Sequence, residues 1–118
     1  MKIVRQNDKE WEDKKGYSKK VFLSPSDLSS AGNVIQEIKI KAGETAAEHY
    51  HKKQTEVFYF LNGNGYWVIN GVEQRFTAGD VLVVEPNDKH IVVNNTQEDY
   101  LYVAFKGNFE EDDSYWAD

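Results

Sequence analysis

Hydrophobic and polar positions alternate with a period of two along most of this chain. In residues 34–41, Val34, Ile38 and Ile40 fall on one face while Glu37, Lys39 and Lys41 fall on the other. That is the pattern of a half-buried strand. Gln36 interrupts the apolar face and becomes a candidate for lining a pocket. A short apolar run at 21–23 stops at Ser24-Pro25, and further runs occupy 47–51, 56–61, 66–70, 73–76, 81–84, 90–94 and 100–105. These runs are rich in β-branched and aromatic residues, which suit a pleated sheet. Asn62-Gly63-Asn64-Gly65, Asn70-Gly71, Ala78-Gly79-Asp80 and Pro86-Asn87-Asp88 separate them. Such segments supply turns, and Asn70-Gly71 is a hairpin signal. No segment carries the three-to-four spacing of a long amphipathic helix. Many short strands between turns predict an all-β sandwich or barrel.

The ends read differently. Residues 1–19 are polar and charged, with Trp11 and Tyr17 as isolated anchors, and form an expected arm. Residues 20–108 carry the strands. Residues 109–118 form an acidic tail whose run Glu110-Glu111-Asp112-Asp113 reads as solvated, although Tyr115 and Trp116 suggest docking or a dimer contact. A chain of 118 residues fits one domain, and a content of 40% hydrophobic and 14% aromatic residues fills a core. The net charge of −6 disfavours a phosphate backbone, so nucleic acid is not an expected partner. Cysteine is absent, which removes thiolate chemistry and disulfides. With no apolar leader in the first residues and no membrane-length run, the expectation is a soluble cytoplasmic domain.

The chain has three histidines, His49, His51 and His90. Residues two apart on a strand share a face, so His49 and His51 can reach one ion. Glu56 follows a polar turn, placing its carboxylate for return from an adjacent antiparallel strand, and His90 opens a later strand. Imidazole and carboxylate together accept Fe, Mn, Zn, Ni, Co or Cu as divalent ions. Counting by two from Glu56 places Phe58 and Phe60 on the same face, and the count from the Gly63–Gly65 turn brings Trp67 and Ile69 inward. Tyr59, Tyr66 and Tyr102 offer phenols. The possible pocket set is therefore Gln36, Phe58, Phe60, Trp67 and Tyr102. The glycines read as turn makers and Asn94 as a structural hydrogen-bonding residue.

These residues resemble the two motifs of the cupins. The first reads Gly43-ETAAE-His49-Tyr50-His51-KKQT-Glu56-VFYFLN-Gly63, and the second reads Gly79-DVLVVE-Pro86-Asn87-Asp88-Lys89-His90-IVV-Asn94. Pro86 falls one residue late and no glycine follows it. Asp88 stands near that slot, and Asp tolerates left-handed backbone. The resemblance implies a jelly-roll-like β-barrel, the double-stranded β-helix, with a metal in its mouth held by His49, His51, Glu56 and His90. It also implies a homodimer and a small-molecule ligand. The family spans dioxygenases, isomerases, epimerases, decarboxylases and noncatalytic domains, so the fold selects no reaction. The expected function is a metal-dependent enzyme on a small organic substrate, dioxygenase-like or sugar isomerase-like. The alternatives are a noncatalytic metal- or ligand-binding module and a metal-free barrel whose histidines bind substrate directly.

Overall fold

The computed structural model describes residues 1–116. Its strands are β1 (Glu12–Lys14), β2 (Tyr17–Leu23), β3 (Val34–Ile40), β4 (Thr45–Tyr50), β5 (Thr55–Phe60), β6 (Tyr66–Ile69), β7 (Val72–Gln74), β8 (Val81–Val84), β9 (His90–Val93), β10 (Tyr100–Gly107) and β11 (Tyr115–Trp116). One 3₁₀ turn at Pro25–Asp27 follows β2. The strands form two antiparallel sheets, ordered β1-β2-β3-β10-β5-β8 and β11-β4-β9-β6-β7. The sheets face each other without joining into one closed cylinder, giving the jelly-roll fold that the cupin resemblance implies.

Alternation decides what lies between the sheets. Along β3, Val34, Gln36, Ile38 and Ile40 are buried and the residues between them are not. Ile38, Ile40, Phe58, Phe60, Trp67, Val84, Val92, Tyr100, Tyr102 and Ala104 belong to one core. Phe60 stacks on Phe76 with ring centroids 4.5 Å apart and planes 4° from parallel. The Trp67 indole N–H donates to the Tyr100 hydroxyl at 3.1 Å, so the buried indole keeps a polar partner.

The sheet begins earlier than the apolar pattern implies. Residues 12–14 and 17–19, expected in the arm, are already strand. Here the inward positions are Tyr17 and Lys19 rather than aliphatic residues, which hides the period. The outer face of this sheet is covered by the remaining arm: Lys20 and Lys39 place their ammonium groups over the Trp11 ring at 5.0 and 4.3 Å. The Lys20 ammonium also donates to the Gln6 carbonyl.

The tail is docked rather than wholly solvated. Tyr115 and Trp116 pair with Tyr50 and His49, and Asp113 is buried. The last two tail positions, 117 and 118, lie outside the described residues.

Two turns carry backbone that the sequence specifies. Asn70 and Gly71 both take positive φ, 50° and 82°, as a two-residue hairpin requires. In the altered turn after Pro86 the left-handed residue is Asn87, at φ 74°, not Asp88. Asp88 instead uses its carboxylate to accept the Glu85 N–H and the Asn70 side-chain amide. Asn94 has the bonding role expected of it: its amide donates to the carbonyls of Ile40 and Glu98, and its oxygen accepts from Thr96.

Candidate metal centre

His49, His51, Glu56 and His90 come together between the sheets, and one donor atom from each lies within 4.8 Å of the others. The histidines belong to the β4–β9 side and Glu56 to β5 in the facing sheet. Glu56 therefore does not return on the strand beside β4, as the turn had suggested; it reaches across the core from the opposite sheet.

A β-bulge aims His49. On β4, Ala46 pairs with Val92 and His49 pairs with His90, so three steps on one strand meet two on the other. Ala46 faces inward, and strict alternation would then turn residue 48 inward and His49 out. The extra residue hands the inward position to His49, a common use of bulges beside functional sites.

Each imidazole is held by the same device. His49 Nδ1 is 2.9 Å from the Ala47 carbonyl, His51 Nδ1 is 2.8 Å from the Asp113 carbonyl and His90 Nδ1 is 3.0 Å from the Asp88 carbonyl. A carbonyl only accepts, so each Nδ1 carries a proton and Nε2 is the nitrogen each ring turns to the centre. Such carbonyls orient imidazoles in metal sites. His51 Nε2 approaches Glu56 Oε1 to 2.7 Å and His90 Nε2 approaches the same oxygen to 3.7 Å. The 2.7 Å approach is not aligned as a hydrogen bond, and both His51 Nε2 and Glu56 Oε1 are buried without a hydrogen-bond partner. An imidazole nitrogen and a carboxylate oxygen buried this close call for a cation between them, a proton or a metal ion. The four residues fit a divalent transition ion.

The electrostatics agree. Burial, reinforced by His90, lowers His49 to about 4. Burial also lowers His90, against the pull of Glu56. For His51 burial acts in the same direction, but the adjacent Glu56 outweighs it and raises the pKa. Burial raises Glu56, but His51, Lys106 and His90 overcome it and lower the carboxyl to about 2. The centre thus holds one fixed negative charge among imidazoles that resist protonation at two of three positions.

The ligand cluster opens into a cavity of about 100 Å³. Of the pocket residues expected from sequence, Gln36, Phe58, Trp67 and Tyr102 line it, and Phe60 does not. Phe60 is one step deeper on β5, fully buried against Phe76 and Tyr100. Of the other phenols, Tyr59 is exposed on the outer face and Tyr66 packs under Arg75. Burial lifts the Tyr102 phenol well above its ordinary value, so it remains protonated.

The sequence reading missed the contributions of Lys15, Tyr17, Lys19, Lys106, Ser114 and Trp116 to the lining. For Lys106 a signal existed, since it continues the inward series of Tyr100, Tyr102 and Ala104. It also missed Asp113, whose carboxylate accepts the backbone N–H groups of Lys52, Lys53 and Gln54 at 2.9 to 3.0 Å. That clamp fixes the loop between His51 and Glu56. Trp116 packs its ring 4.9 Å from that of His49.

Residues 36–105 match the family described as Cupin domain. The chain is 27% identical over 81 residues to Tetracenomycin polyketide synthase protein TcmJ of Streptomyces glaucescens, an alignment covering 69% of this chain and 54% of TcmJ. It thus spans about half the length of that relative. It is 26% identical over 83 residues to Oxalate-binding protein of Thermotoga maritima, covering 70% of this chain and 69% of the relative. A solved structure described as a predicted oxalate decarboxylase from Thermotoga maritima superposes with a TM-score of 0.81 at 21% identity, over 90% of this chain and 98% of that one. A family match across most of the strands, on a fold shared with that solved structure, shows that the chain belongs to the cupin family.

Proposed function

We propose that this protein is a metal-dependent enzyme acting on a small organic substrate, with the ion held by His49, His51, Glu56 and His90. The observation that carries this reading is the shared orientation of the imidazoles, each Nδ1 fixed on a backbone carbonyl. When bound, the ion supplies Lewis acidity and open positions for substrate oxygens. The chain supplies the rest. Phe58 and Trp67 form an apolar wall that excludes water, and Gln36 and the protonated Tyr102 line the cavity as hydrogen-bond donors. Both dioxygenase-like and sugar isomerase-like chemistry are compatible with this set.

A noncatalytic ligand-binding module is the second reading. It is favoured by the absence, among the described cavity residues outside the cluster, of a carboxylate or imidazole to act as a base. A relative named for binding oxalate supports it too.

The test is metal content of protein purified without a histidine tag, followed by turnover. One equivalent of iron with oxygen uptake supports oxygenation. Manganese or zinc with conversion of a keto-sugar supports isomerisation, and bound metal without turnover supports the module. If wild type and His90→Ala alike reject added metal, the reading fails.

Assembly as a homodimer belongs to the same proposal. The outer face of β5, β8 and β10 exposes Tyr59, Val81, Val83 and Phe105 side by side. A contiguous uncharged apolar face on an edge of the sheet suits a second copy packed by two-fold symmetry.

A further inference from the structure

We propose that the cavity takes a small organic dianion, with one acid group at the four-residue cluster and the other against Lys19 and Lys106. This names a substrate class for the proposed function and rests on it. The chain as a whole carries a net charge of −6. Its cavity has the opposite sign: Lys15, Lys19 and Lys106 line it, and Glu56 is its one carboxylate among the described residues.

The positions of two of these lysines are unusual for a sheet. Lys19 pairs with Ile38, which pairs in turn with Tyr102, so Lys19 shares their inward face. Lys106 pairs with both Val34 and Glu56 and shares theirs. An aliphatic residue at either place would extend the core, whereas an ammonium there is costly unless something compensates it. The protein compensates only Lys106, and only in part: burial lowers its pKa against the pull of Glu56, and its ammonium lies 5.3 Å from the Phe109 ring. Among the described residues the lysine and arginine ion pairs involve Lys14, Lys41, Lys53 and Arg75, all outside the cavity. Glu56 sits directly across the strand pair from Lys106, but its carboxylate is turned to His51 and His90.

A divalent ion at the cluster makes the imbalance larger, and a low-dielectric cleft of one sign concentrates ligands of the other. A neutral diol or an apolar ring would leave both ammonium groups without an anionic partner. Size narrows the class further. A cavity of about 100 Å³ favours a short diacid over a long one.

The experiment uses full-length protein loaded with Co(II), whose visible absorption reports changes at the ion, titrated with malonate and with its neutral relative malonamide. Metal uptake is measured first. The expected result is saturable binding of malonate, weakened by salt, and no saturation with malonamide. Lys106→Met and Lys19→Met are expected to take up Co(II) as wild type does and to lose malonate affinity by about tenfold each, the scale of one charged hydrogen bond. Equal affinity for malonate and malonamide, or unchanged malonate affinity in both variants, overturns the dianion while leaving the metal site intact. Failure of wild type to take up Co(II) overturns both.

Discussion

The Asp113 carbonyl accepts the Nδ1–H of His51 at 2.8 Å across 62 positions of sequence. The side chain of the same residue clamps the three N–H groups that follow His51. One tail residue therefore orients a ligand and fixes the loop leading to Glu56. Replacing Asp113 by Ala strands three backbone donors, a loss of about 2 kcal/mol, which for a chain of this size lowers Tm by roughly 10 °C. Metal affinity should fall about tenfold, as for other partners that orient ligands. Glu111→Ala, on an exposed neighbour in the same acidic run, should change neither quantity. Thermal melts and metal titrations of the two variants check this; equal behaviour would return the whole run to the solvent.

Gly65 tests packing rather than chemistry. A Cβ there would lie 2.4 Å from Tyr100 Cδ2 and 2.7 Å from the Val93 carbonyl oxygen. Tyr100 is fully buried and its hydroxyl is tied to Trp67, so the ring has little freedom to retreat. Gly65→Ala should cost about 1–3 kcal/mol, the usual range for overpacking. Gly71→Ala meets no atom within 4 Å and pays only for its positive φ, so it should cost less. Denaturant melts of the two variants rank them.

These cases show what could be read from the chain and what could not. The strand at 34–41, the Asn70-Gly71 hairpin and the His-x-His pair were legible because a local period or a local turn determines them. Phe60 was misplaced because counting by two gives the face of a residue but not its depth. The side of Glu56 was misplaced because a four-residue loop connects facing sheets as readily as neighbouring strands. The bulge at Ala47–Glu48 left no mark in the residues, since it depends on how β4 meets β9. Asp113 could not be separated from Asp112 because its role comes from N–H groups some sixty positions away. Lys106 continued a readable period but its charge suggested surface, and Lys19 lay where polar inward positions hide the period.

The apolar outer face predicts its own disruption. Val81 and Val83 are 57% and 49% exposed on β8, at the edge of the six-stranded sheet. Val83→Lys places a charge on that face, inside a contact that buries it against a second copy. Light scattering should show wild type as a dimer and Val83→Lys as a monomer, with metal uptake retained because the substitution lies on the far side of the sheet from the cluster. A monomeric wild type would remove the dimer from the proposal.

The pH dependence of metal binding should be set by His51 alone. With His49 near 4 and His90 lowered, both give up the Nε2 proton at lower pH than His51 does. Glu56, near 2, is ionised throughout. His51 differs because Glu56 raises its pKa, so in the metal-free protein its Nε2 keeps a proton to higher pH than the other two do. An ion can take this nitrogen only by displacing that proton. The sign follows: affinity falls as pH drops through the histidine range, by about one proton per ion, and levels off once pH exceeds the raised His51 value. Titrations from acid to mildly alkaline pH in buffers of differing ionisation enthalpy give both the slope and the proton count. His51→Gln should bind more weakly and lose the slope. A slope near two would show that His90 also titrates, and a flat profile in wild type would remove His51 from the ligand set.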